Sequence, residues 1–128
     1  MIYLDTSVVL ARLLKEERSP PDAFWSQPLI SSRLLEYEVF NRLHLHTTEP
    51  TRIETARLLV DRLSFHGMTP KILARALEPF PVAVRTLDSL HLATMVFLRA
   101  NSQTIRLASY DKRLTAAAAA LGFELAAL

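Results

Sequence analysis

The chain of 128 residues contains no cysteine. That excludes a disulfide framework and any thiolate zinc site, and it agrees with a reducing compartment, so the cytoplasm is the expected location. Glycine is almost as scarce. With only Gly67 and Gly122, the sequence has neither a glycine-rich phosphate loop nor a dinucleotide-binding fingerprint, and Ser7 lacks the glycines that surround a strand-elbow nucleophile. No stretch approaches the roughly 18 uninterrupted apolar residues that a transmembrane helix requires, and no basic segment precedes the apolar run from Ile2, so a soluble, unprocessed chain is expected. The fifteen Lys and Arg are scattered, without a basic run, and the net charge is only +2. This balance permits nucleic acid as a partner without demanding it, although acids gathered in one site would leave a more basic remainder facing phosphates.

Half of the residues are apolar, enough for one domain over residues 1–128 with a sizeable core. Ile2 to Leu4 reads as a short buried strand that stops on Asp5, Thr6 and Ser7. In an open α/β sheet, ligands bind outside the carboxyl ends of the strands, so Asp5 stands where a site would be built. Ser7 suits the N-cap of a first helix through Leu14. Pro20, Pro21 and Asp22 break that pattern and introduce a short helix through Phe24 and Trp25, whose rings read as core.

Leu29-Ile30-Ser31 fits a second strand, and from Ser32 the spacing of Leu35, Val39 and Leu43 is helical. His46 to Pro50 turns the chain. Thr51 and Glu54 resemble a capping box for a third helix that pairs with the second. Local rules leave Phe65 to Met68 open, as a short strand or as a helix end capped by Gly67. Thr69-Pro70 opens another helix, with threonine as N-cap and proline at the first helical position. Residues 82–84 are too short an apolar run to assign as strand. Asp88 to Leu98 is apolar around most of its circumference and reads as a buried helix.

Asn101-Ser102-Gln103 marks a turn, and Thr104 to Ser109 is the most legible strand. It runs into Asp111, which suits the N-cap of a helix through Leu121 that ends at Gly122. Phe123 to Leu125 fits a last strand. Strands alternating with helices favour a parallel sheet covered on both faces.

Asp5 and Asp111 each follow a strand, and Asp88 lies in the first turn of a buried helix. Each alone reads as a cap or a dipole partner. Together in one concavity they would repel one another unless a cation compensates them. Hard oxygen donors without a His or Cys cluster suit Mg²⁺ or Mn²⁺, and that chemistry points to phosphodiester hydrolysis. An aspartyl-phosphate mechanism is disfavoured, because Asp5-Thr6-Ser7 lacks a second acid two residues on.

Four blocks then carry a family likeness: Tyr3-Leu4-Asp5-Thr6-Ser7, Ser31 to Glu38, Arg85 to Thr94, and Ala108 to Leu114. In order and spacing they resemble the signature blocks of PIN-domain ribonucleases, and VapC toxins of toxin-antitoxin modules most of all. The resemblance implies a three-layer α/β/α sandwich with a short parallel sheet in strand order 3-2-1-4-5, and it makes Phe65 to Met68 a strand. It implies that Asp5, Glu38, Asp88 and Asp111 are the catalytic, metal-binding acids, with the hydroxyls of Thr6 and Ser109 supporting them. Glu36 lies about 200° around the helix from Glu38, so the two cannot face one metal. Periodicity does not choose between them. In the family pattern the acid follows the paired serines at the distance of Glu38, which leaves Glu36 as a solvated charge.

His91, one turn beyond Asp88, is read as a buried, hydrogen-bonded histidine, while His44, His46 and His66 are read as surface or helix-end residues. Arg12, Lys15, Arg85, Lys112 and Arg113 are expected near RNA phosphates. The implied activity is Mg²⁺- or Mn²⁺-dependent endoribonucleolytic cleavage by a metal-activated water. The implied partners are a cognate antitoxin and a second copy in a homodimer. Two alternatives share these residues: a PIN nuclease acting outside a toxin-antitoxin pair, on processed RNA or structured DNA, and a catalytically silent binding module. A small antitoxin gene immediately upstream separates the first from a toxin, and loss of an acid would mark the second.

Overall fold

The computed structural model describes residues 1–101 and 103–128, and the period-two alternation of its first strand sets the layers. β1 (Ile2–Leu4) turns Ile2 and Leu4 to one face and Tyr3 to the other, as successive strand residues must. Ile2 and Leu4 pack with Val8 and Val9 of α1 (Thr6–Leu13), Leu35 and Val39 of α2 (Leu34–His46) and Val60 of α3 (Pro50–Val60). Tyr3 joins Leu92, Met95 and Leu98 of α5 (Thr86–Ala100) and Leu114, Ala117 and Ala118 of α6 (Lys112–Ala120). Helices therefore cover both faces of the sheet in three layers. The short α4 (Pro70–Ala76) precedes α5 and contributes the buried Ile72.

β2 (Leu29–Ser32), β3 (Ser64–His66), β4 (Arg106–Ala108) and β5 (Glu124–Leu125) complete a wholly parallel sheet in the order β3-β2-β1-β4-β5. The chain moves outward from β1 to β2 and β3, then crosses back to β4 on the other side of β1. β1 and β4 thus flank a topological switch point, where the following loops diverge and open a crevice. Register fixes what enters that crevice. Leu4 lies opposite Ala108, so Asp5 and Ser109 emerge side by side, and the Asp5 N–H donates to the Ala108 carbonyl at 3.0 Å.

Several helix starts differ from the sequence expectation. Asp5, rather than Ser7, caps α1, which begins at Thr6. The Thr51–Glu54 capping box does not form, because Pro50 opens α3 and Glu49 occupies the N-cap without a side-chain bond. The second helix begins at Leu34, since Ser32 is still in β2; the Ser32 hydroxyl instead accepts the Leu34 N–H at 3.1 Å. Thr69 caps α4 through the Ile72 N–H, and Asp111 caps α6, both as expected. Gly122, at φ +85°, follows α6 in the left-handed conformation that glycine adopts without strain.

The strand expected over residues 104–109 is confined to Arg106–Ala108, and the last strand is Glu124–Leu125. Residues 65–66 lie in β3 and residues 67–68 beyond it, so the short-strand reading is the observed one. Phe24 and Trp25 sit on a single 3-10 turn, Asp22–Ser26. In the turn expected at Asn101-Ser102-Gln103, Ser102 lies outside the described residues. Among the described residues, no helix is long and apolar enough to cross a membrane.

Candidate metal centre

The four expected acids come from four separate segments. Asp5 follows β1, Glu38 lies on α2, Asp88 is in the first turn of α5, and Asp111 caps α6 after β4. Glu38, Asp88 and Asp111 line one open cavity of about 900 Å³. Asp5 is the buried member, 7% exposed, and its charge is felt by both Asp88 and His91.

Three of the acids share one arrangement, in which one carboxylate oxygen is tied by donors. Asp5 Oδ2 accepts from the Ser7 hydroxyl at 2.6 Å and the Ser109 hydroxyl at 2.8 Å. Glu38 Oε1 accepts from the Thr6 hydroxyl at 2.9 Å and from His91 Nε2–H at 2.5 Å. Asp111 Oδ1 accepts the N–H groups of Arg113 and Leu114 at 2.9 and 3.2 Å. Among the described residues, no side-chain or backbone donor is tied to the second oxygen of any of the three. Carboxylates oriented by one oxygen and free at the other are suited to coordinating a cation.

Ser109 also links two of the acids, because its oxygen accepts the Asp111 N–H at 2.9 Å while its hydroxyl donates to Asp5. Thr6 and Ser109 thus donate to Glu38 and Asp5, two of the acids beside which the family likeness sets them. Ser7 has a larger part than a helix cap. Besides donating to Asp5, its oxygen accepts the Tyr110 N–H at 3.0 Å, tying the loops after β1 and β4 together. The sequence signal was the run of hydroxyls after Asp5, which the capping rule absorbed.

Burial and the crowding of like charges both act on Asp88. Burial raises its carboxyl above the ordinary value, and the charges of Asp111 and Asp5 raise it further. With the folded pKa above the unfolded one, the folded state keeps this proton to higher pH. Stability therefore falls as pH rises from the ordinary carboxyl range through the raised folded value, and the full deficit is present above it. Asp88→Asn is accordingly expected to raise the melting temperature of the metal-free protein at pH 7, with the gain disappearing in acid. Calorimetry at several pH values checks this, and a lowered melting temperature at pH 7 would contradict it.

The donor set fits Mg²⁺ or Mn²⁺, being all carboxylate oxygen with hydroxyls in support. Among the described residues, no three His, Asp or Glu side chains converge closely enough to make a ready-built cage. Mg²⁺ needs none, since it is held through one or two carboxylates and keeps several waters or substrate oxygens.

Glu36 points elsewhere. It is paired with Arg33 at 2.5 Å and Arg57 at 3.1 Å, and Arg33 first, then Arg57, hold its carboxyl below the usual range against partial burial. It is thus a paired charge joining α2 to α3, and not the free solvated charge expected. His91 is 1% exposed and bonded at both ring nitrogens, to Glu38 and to the Tyr3 hydroxyl at 2.7 Å. Burial opposes its protonation, but the Glu38 bond and the charges of Glu38, Asp5 and Asp88 prevail and raise its pKa. His44 and His46 are exposed near the end of α2, whereas His66 lies in β3 against Phe97, with ring centroids 4.9 Å apart.

The expected RNA-contacting cations divide into two groups. Arg85, Lys112 and Arg113 line the acid cavity, together with Arg42, which sequence reading missed although it lies one helical turn beyond Glu38. Among the described residues, none of these four is in an ion pair. Arg12 and Lys15 are carried away from the cluster along and beyond α1. They line a separate groove of about 430 Å³, with Leu13, Leu43, Leu58 and Leu59 as its apolar part and Arg52 and Arg62 as further cations.

The wholly parallel 3-2-1-4-5 sheet and its acid-lined switch point define a PIN-type α/β/α protein. A family model described as the PIN domain matches residues 2–120, and the chain belongs to that family. Its relatives include Ribonuclease VapC46 of Mycobacterium tuberculosis (strain ATCC 25618 / H37Rv), 33% identical over 98% of this chain and 96% of the relative. Ribonuclease VapC47 of Mycobacterium tuberculosis (strain CDC 1551 / Oshkosh) is 27% identical over 96% of this chain and 93% of the relative.

Proposed function

We propose that this protein is a Mg²⁺- or Mn²⁺-dependent endoribonuclease, the toxin of a toxin-antitoxin module. The observation that carries this reading is the placement of Glu38, Asp88 and Asp111 around one cavity, with Asp5 buried at the end of β1 and close enough for its charge to act on Asp88, beside Arg42, Arg85, Lys112 and Arg113, which among the described residues are in no ion pair. The ribonuclease names of the two relatives, each aligned over nearly its whole length, support the RNA substrate, and their VapC names agree with the family likeness from which the toxin role is taken.

In this reading Asp5, Asp88 and Asp111, with Glu38, hold the cation. When bound, it supplies Lewis acidity toward a phosphoryl oxygen and lowers the pKa of water. The protein's own residues do the rest. Ser7 and Ser109 fix Asp5, Thr6 and His91 fix Glu38, and the α6 N-terminus fixes Asp111. Arg42, Arg85, Lys112 and Arg113 receive the RNA backbone, so the phosphodiester is drawn by cations toward a cavity whose centre is acidic.

The cation-rimmed leucine groove among α1, α2 and α3 is the proposed seat of the antitoxin, with Arg12, Lys15, Arg52 and Arg62 suited to an acidic, apolar-studded segment. Leu73 of α4 and Leu77, the residue that caps its carboxyl end, are exposed one turn apart and offer apolar surface to a homodimer.

Cleavage of RNA should require Mg²⁺ or Mn²⁺ and stop in chelator. Glu38→Gln should lower it by about 10-fold to 100-fold, while Glu36→Gln leaves it near wild type. Loss with Glu36→Gln but not with Glu38→Gln would overturn the assignment of the second acid, and metal-independent cleavage would overturn the reading itself.

A further inference from the structure

A chain of buried polar groups runs from the sheet to Glu38. The Ser32 N–H, at the end of β2, donates to the Tyr3 oxygen at 3.2 Å. The Tyr3 hydroxyl meets His91 Nδ1 at 2.7 Å, and His91 Nε2–H donates to Glu38 Oε1 at 2.5 Å. Tyr3 is 0% and His91 1% exposed; Tyr3 packs with Leu92, Met95 and Leu107, and His91 is buried on α5. Apolar residues of similar volume could fill this space, and a buried polar pair contributes little net stability over them. What the pair adds is direction. It brings a fixed N–H onto the same Glu38 oxygen that Thr6 already occupies at 2.9 Å, so a single oxygen, Oε2, is left unengaged among the described residues.

We infer that Tyr3 and His91 are positioning residues that hold Glu38 to one-oxygen ligation, and that this clamp favours small octahedral cations over Ca²⁺. The inference rests on the metal-dependent reading proposed above. A carboxylate with one oxygen tied cannot close both oxygens around an ion. Ca²⁺ takes 6–8 oxygens and accepts two-oxygen carboxylates in flexible geometry, whereas Mg²⁺ and ions of its size require near-ideal octahedral ligation. Releasing Glu38 Oε1 removes that restriction and lets the side chain wander, so affinity for the small ion falls while the penalty on Ca²⁺ is relaxed. The support arrives through Tyr3, whose backbone is in β1 and whose oxygen is fixed by β2, so the ring of His91 is referenced to the sheet rather than to its own helix.

The test is calorimetric titration of Mn²⁺ and of Ca²⁺ into the purified full chain, with thermal melts run alongside. Wild type is compared with Tyr3→Phe, His91→Leu, His91→Gln and Leu98→Ala. Tyr3→Phe removes only the anchoring hydroxyl and keeps the ring in the core. Leu98→Ala weakens the same helix away from the acids. The clamp predicts that His91→Leu weakens Mn²⁺ binding about tenfold and narrows the Mn²⁺ preference over Ca²⁺. Tyr3→Phe should shift both in the same direction, and the Tyr3→Phe/His91→Leu double variant should be no worse than His91→Leu alone. His91→Gln, whose amide N–H can replace the donor, should lie closer to wild type than His91→Leu. Leu98→Ala should lower the melting temperature without changing either affinity. Unchanged Mn²⁺ affinity and unchanged preference in His91→Leu and Tyr3→Phe would overturn the clamp while leaving the metal reading intact. A wild type that takes up no Mn²⁺ would overturn the metal reading and the clamp with it.

Discussion

Asp5→Asn is expected to lower RNA cleavage by about 100-fold or more, with a melting temperature close to that of wild type. The asymmetry of the site explains why activity and fold should separate here. Asp5 Oδ2 accepts the hydroxyls of Ser7 and Ser109, and an asparagine carbonyl can accept the same two bonds in the same place. The exchanged atom is the other one, where an NH₂ group replaces the unengaged oxygen. An amide nitrogen does not ligate Mg²⁺, and the negative charge is gone. Cleavage by purified protein, measured beside a melt, checks both halves of this expectation. Activity within a few-fold of wild type would remove Asp5 from the site.

Leu92→Ala should be among the most destabilising single changes, at about 2–5 kcal/mol. Leu92 is 0% exposed and belongs to the cluster of Tyr3, Met95, Leu107 and Leu114 on the α5–α6 side of the sheet. Its neighbours are held by the sheet register and by α6, so collapse around the lost methyl groups is restricted and a cavity remains. For a domain stabilised by about 5–15 kcal/mol in total, that is a large share. The change also sits one turn beyond Asp88 and next to His91, so a looser α5 loosens two members of the site. Denaturant unfolding measures the loss, and a destabilisation below about 1 kcal/mol would mean that this face of the core is packed less tightly than described.

The sequence was most legible where one residue type serves one purpose. Thr69-Pro70 opens α4 and Asp111 caps α6, and Gly122 follows α6 with φ +85°. It was least legible where a residue serves two. Ser32 reads in the sequence as the start of a helix but completes β2 and still accepts the Leu34 N–H. Asp5 was recognised as an acid after a strand, yet it also caps α1, displacing Ser7 from that role. Pro50 overrode a plausible capping box at Thr51, because proline has no N–H to lose at the first turn of a helix.

The site divides in the same way. Asp5 and Asp111 are visible as strand-end acids, and the parallel sheet brings the loops that bear them together at its switch point. Glu38 could not be separated from Glu36 by periodicity; the family likeness chose it, and the geometry gives Glu36 two arginine partners of its own. Ser7 and Arg42 were not assigned to the site, since a hydroxyl in a cap and an arginine on a helix surface look ordinary until tertiary contacts place them. Arg12 and Lys15 are expected from the sequence among the RNA contacts near the strand ends, whereas they line the leucine groove instead of the acid cavity.

The proposed metal centre of four distant acids can be located by anomalous diffraction from crystals of the protein soaked with Mn²⁺. The predicted result is a peak in the crevice between β1 and β4, bonded to Asp5 and flanked by Asp88 and Asp111, with Glu38 Oε2 turned toward it. A cavity without a peak at saturating Mn²⁺, or a peak bonded only to acids outside this cluster, would contradict it.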